Sequence, residues 1–73
     1  MDPEKIKAAR IQAIKELGEL IDAEKWGGLT TGMCARLGIS MDQFLIFAHM
    51  PEHNQKNIII ALWGKLSTEV FGH

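Results

Sequence analysis

Two groups of side chains have types and spacing that could do chemistry. The first is His49-Met50-Pro51-Glu52-His53, which fits the H-x-x-E-H pattern of one class of zinc hydrolase. That pattern works when both histidines stand on one continuous helical turn, so that two ring nitrogens reach a single metal. Pro51 lies between them. Proline removes a backbone N–H and pushes the residue before it out of helical geometry. The histidines are therefore expected at an inter-helix bend, on the surface, with no metal. The second candidate is Cys34, the sole cysteine. No nucleophile–base pair stands out around it, and a buried thiol is inert. Gly27-Gly28 marks a turn and is no phosphate-binding loop. With no catalytic constellation and no cofactor site, a non-enzyme is expected.

Seventy-three residues make one small domain. The hydrophobic content, 47%, argues against disorder. In so short a chain it also implies that some apolar side chains stay outside. The net charge is −1, without the basic excess by which free-standing DNA binders neutralise phosphate. One thiol cannot form an internal disulfide, so nothing points to an oxidising compartment. The start, MDPEKIKAAR, is too polar for a signal peptide. The longest apolar run, Ile58 to Trp63, is too short to span a bilayer. A soluble cytoplasmic protein without a membrane partner is the expectation.

The elements that would position these groups are all helical. Asp2 as N-cap, Pro3 at the first position and Glu4 in the first turn open a helix to about residue 24. Ile6, Ala9, Ala13, Leu17, Leu20 and Ile21 mark its inward face, with Ile11 and Ile14 off to the side. Lys25 to Gly28 connects, with Trp26 folding back. Thr30 or Thr31 caps a short second helix that ends at Gly38, where the turn needs positive φ. Ser40 and Gln43 form a capping box for a third helix to about Ala48. A fourth runs over 51–66, with Ile58, Ile59, Leu62, Trp63 and Leu66 inward. Residues 67–73 are left as a tail. The expected fold is all-α: four helices in one domain.

Thr30 to Phe47 also has the frame of a helix-turn-helix, with a unit over 29–48. Cys34 is the small residue of its first helix and Gly38 the turn glycine. Met33, Leu37, Ile39, Phe44 and Phe47 fall on inward positions. A DNA reader would carry Arg, Lys, Asn, Gln, Ser or Thr on the outer face of the second helix of such a motif. This chain carries Met41, Asp42, Leu45, Ile46 and His49 there. Leu and Ile cannot donate to base edges, and Asp repels phosphate. Met41, Leu45 and Ile46 are either ordinary core or a protein-binding face. On the first helix, Lys5, Lys7, Arg10 and Lys15 precede Glu16, Glu19, Asp22 and Glu24. Beyond the first turn this order opposes the helix dipole. It is either a solvated face with pairs such as Lys15–Glu19, or a basic prong aimed at an acidic protein surface or nucleic-acid backbone.

Thr31 to Phe44 resembles the helix-turn-helix of phage repressors and activators of the lambda type, a likeness that extends through the Pro51 bend to Gly64. Size, fold and the apolar recognition face together resemble small lytic-phage transcription regulators, of the Xanthomonas-phage kind that inhibit initiation and promote antitermination. The resemblance implies host RNA polymerase as partner, steric occupation of its surface near the RNA exit region, and the host cell cytoplasm as location. On this reading Lys5, Ile6, Lys7 and Arg10, with Met41, Asp42, Leu45 and Ile46, are the protein-binding residues. Nascent RNA is a second candidate partner, and sequence-specific DNA is not expected. A monomer is expected. The alternative is a Cro-like or activator-type DNA-binding protein.

Overall fold

Three of the four helices begin where a local side chain satisfies backbone N–H groups that a helix start leaves unpaired. The computed structural model describes residues 2–72, with helices α1 (Pro3–Asp22), α2 (Thr31–Leu37), α3 (Met41–Ala48) and α4 (Glu52–Phe71). Asp2 accepts from the Glu4 N–H, and Thr30 accepts from the Met33 N–H. At α3 the Ser40 hydroxyl accepts from the Gln43 N–H while the Gln43 amide accepts from the Ser40 N–H, a closed capping box. Pro51 stands at the cap of α4 with no side-chain cap bond. Gly38 ends α2 in the left-handed region at φ 74°, where a side chain would be strained.

α1 packs along α4 over the longest stretch and on α2 next; α3 packs chiefly on α2. The core joins Ala13, Ile14 and Leu17 of α1, Trp26 and Leu29 of the connector, Met33 and Cys34 of α2, Phe47 of α3, and Ile59 and Leu66 of α4. Gly28 lets the connector lie close to α1: a Cβ there would stand 2.6 Å from a Leu20 methyl and 3.1 Å from the Lys25 carbonyl. The Lys56 ammonium sits 5.5 Å from the centre of the Trp26 ring and covers that indole.

Three expectations are corrected. Residues 67–71 are not a tail, because α4 continues to Phe71. Packing on α1 carries the helix past Gly64: Leu66 is buried, and Val70 packs against the core. His73 lies outside the described residues. Ile14 is core rather than lateral, because α1 is covered on two sides, by α2 and by α4. Ile6, Ile58 and Trp63, all expected inward, are not buried; each keeps more than a third of its surface exposed. Gln55 takes an inward place instead.

One long-range ion pair fastens α2 to α1. The Arg36 guanidinium donates to both carboxylate oxygens of Glu16, and the Gln12 amide donates to the same carboxylate at 3.0 Å. The Gln12 hydrogen bond is the main cause that holds the Glu16 carboxyl below its ordinary value; burial pushes it up, and the hydrogen bond and charge of Arg36 bring it down further. A lowered folded pKa stabilises the fold above the unfolded value and ceases to do so as pH falls through the folded one. The stability advantage of the native chain over Glu16→Gln should therefore hold at neutral pH. It should start to shrink near pH 4.5, the ordinary carboxyl value, and vanish below the folded value. Melting temperatures of both chains between pH 7 and pH 3 check this; an advantage that grows on acidification contradicts it.

Candidate functional site

The outer side of α3 is built by helical spacing. Met41 and Leu45, four residues apart, sit about 40° apart around the axis, and Ile46 a further 100° on, beyond Asp42. None of them joins the core: Met41 is 57% exposed, Leu45 48% and Ile46 61%. The choice between core and surface is thereby decided for surface. Phe47, on the opposite side of the same helix, supplies the buried contact. α3 carries no basic residue at all.

The three apolar residues do not form one flat face. Ile46 turns towards α4 and lines a groove of about 310 Å³ with Ile39, Phe44, Met50, Ile58 and Leu62. Gln43 is the polar residue at its edge. The groove exists because α3 leans on α2 and leaves the Ile58–Leu62 side of α4 uncovered. Met41 and Leu45 stand outside the groove, on the far side of the helix. The surface thus has two parts meeting at Asp42 and Ile46.

The basic prong is likewise divided. Lys5 and Lys7 are two residues apart and point about 160° away from each other. Lys7 and Arg10, with Pro3 and Ile6, line a shallow depression of about 320 Å³ against Glu69 and Val70 of α4. Arg10 comes within 3.8 Å of the Glu69 carboxylate, both side chains being largely solvated, so the pair adds little stability. Lys5 lies outside this depression. Among the described residues, the two ion pairs are Arg10–Glu69 and Arg36–Glu16; Lys15 and Glu19 form none.

His49 caps the C-terminal end of α3 and His53 belongs to the first turn of α4, so the two imidazoles stand on different helices. Cys34 is buried, and burial pushes its thiol pKa up. Its reaction with maleimide is therefore expected only on unfolding. Cys34→Ala should fold and Cys34→Asp should not, because the latter buries an unpaired charge. Rapid labelling of the native protein would show that the thiol is not in the core.

Sequence reading missed two positioning groups. The Glu16–Arg36 clamp spans 20 residues and has no periodic signal. Gln55 was legible in principle: it stands four, seven and eleven residues before Ile59, Leu62 and Leu66, on the inward stripe of α4. Its Nε2 donates to the Phe47 carbonyl at 3.0 Å, joining α4 to the end of α3. Among the described residues no helix is long and apolar enough to cross a membrane, and no cluster of three or more His, Cys, Asp or Glu side chains is placed to hold a metal. Comparison with protein-family models, with curated proteins and with solved structures gave no match.

Proposed function

We propose that this chain is a non-enzymatic regulator that acts by occupying a protein surface, and that the surface belongs to host RNA polymerase. The observation that carries protein binding is the exposure of Met41, Leu45 and Ile46 around Asp42 on a helix with no cation. Apolar side chains gathered on one small element gain free energy by leaving water, and a partner that covers them supplies that gain. The same face offers base edges no hydrogen-bond donor and brings a carboxylate towards the phosphates. Polymerase as the partner, and inhibition of initiation with antitermination as the outcome, rest on the resemblance to small lytic-phage regulators. The helix-turn-helix would then be a scaffold. Lys5, Lys7 and Arg10 with Ile6 would approach acidic protein or nascent RNA at a second contact.

The test is size-exclusion co-elution with purified Xanthomonas RNA polymerase, beside a low-salt gel shift on phage DNA. Co-elution with no specific shift is expected. Specific DNA binding tighter than about 100 nM at physiological salt, where true operators bind, would replace this reading with the Cro-like one.

A further inference from the structure

The side chain of the buried polar residue Gln55 has one hydrogen-bonded partner, and that partner is on α3. Burying an amide is unfavourable unless it bonds, so its position calls for a reason. The packing supplies one. α2 is tied to α1 by the Arg36–Glu16 pair and by the burial of Met33 and Cys34. α1 and α4 share the most extensive contact in the molecule. α3 has neither kind of support. Phe47 is its one buried side chain, Phe44 packs against the core only partly buried, and a groove lies between its Ile46 side and Ile58 and Leu62 of α4. Its ends are breaks in the helix pattern: Gly38 with positive φ before it, and the His49–Pro51 bend after it.

We infer that α3 opens as a unit, separately from the rest of the fold, and that Gln55 is the clasp that closes it. Elements with few buried contacts and a solvated face open at lower free energy than the core. Opening would detach α3 about Gly38 and the Pro51 bend, draw Phe47 out, break the bond from Gln55 to the Phe47 carbonyl, and, because an eight-residue helix is not stable by itself, release the backbone N–H groups of Leu45 to Ala48 to water. It would also widen the groove and expose Phe44, which is partly buried in the closed fold. The clasp would set how often the outer face of α3 departs from its closed position, with or without a partner present. This goes beyond the binding reading and does not depend on it, because it is measured on the isolated chain.

The experiment is native-state amide hydrogen exchange by NMR on the full chain, on Gln55→Met, and on Ile59→Val. Gln55→Met keeps the bulk of the side chain and removes the donor. Ile59→Val weakens the α1–α4 core, which stays packed while α3 is open. In the native chain the amides of Leu45 to Ala48 should exchange faster than those of Leu17, Leu62 and Leu66. Gln55→Met should speed both sets by a similar factor, about three- to tenfold for one lost hydrogen bond, because the bond is broken in the open form and in the unfolded one. Ile59→Val should speed the core amides and leave Leu45 to Ala48 unchanged. Equal protection of α3 and core in the native chain would overturn the inference. So would Gln55→Met leaving the α3 amides unchanged, or Ile59→Val speeding them as much as the core.

Discussion

Truncating Ile59 to alanine is expected to cost about 2–5 kcal/mol, as deletions from fully buried sites do. Ile59 has no exposed surface, and neither does Leu17, the other large side chain wholly enclosed. Ile59 stands on α4 and Leu17 on α1, the two long helices whose contact is the main body of the fold. A cavity here has nowhere to collapse to, because the neighbours are backbone and other core side chains. A domain of 73 residues has little stability to lose, since its buried fraction of surface is small. Urea unfolding followed by circular dichroism checks the expectation. Leu17→Ala and Ile59→Ala should move the midpoint furthest among alanine variants. Exposed Ile11→Ala should move it by no more than about 0.5 kcal/mol in stability terms. A loss below about 1 kcal/mol at Ile59 would mean that the α1–α4 contact does not hold the fold together.

The parts of this fold that were legible in the sequence are those fixed by neighbouring residues. Asp2, Thr30 and Ser40 announce three helix starts because a cap acts on N–H groups two or three residues away. Gly38 announces the turn because the strain of positive φ is a property of one residue. Pro51 announces the bend for the same kind of reason. What was not legible depends on the partner helix. The extension of α4 to Phe71 is decided by α1, against which Val70 packs, and no local rule carries a helix through Gly64 towards a β-branched end. Ile14 looked lateral on a single-stripe helix, yet α1 serves two neighbours and buries a wider face. Ile58 looked buried on periodicity alone, but α3 does not cover its side of α4. The residues of the candidate surface stand out by type, but helical spacing leaves Met41, Leu45 and Ile46 free to be core or surface; their exposure is settled by tertiary packing, with Phe47 inward and α3 resting on α2.

At least one of Leu45→Asp and Ile46→Asp is expected to weaken partner binding about a hundredfold or more while both leave the fold intact. Both side chains are exposed in the free chain, so a carboxylate there stays hydrated and the core does not change. In a complex that buries this face, the new charge would lose its water without gaining a partner, a penalty of several kcal/mol. On the binding scale that is a hundredfold or more, since each 1.4 kcal/mol is about tenfold, and it should appear as faster dissociation. Charge reversal at Lys5 and Lys7 should act differently. These lysines are solvated, and their effect on a partner is long-range and screened by salt. Their loss should slow association by a modest factor that fades as salt rises. Arg10→Glu adds a second change, because it also sets a new carboxylate beside that of Glu69. Surface plasmon resonance on purified polymerase separates the rates, and circular dichroism on each variant checks the fold. Unchanged binding by both α3 variants would remove this helix from the interface and leave the amino-terminal cations as the sole candidate contact. Loss of helicity in either one would return that residue to the core. Because Leu45 and Ile46 point to different sides of α3, the pair also tells which part of the surface the partner covers. A partner seated in the α3–α4 groove would respond to Ile46→Asp far more than to Leu45→Asp, and one lying across the outer edge of the helix would respond in the opposite order.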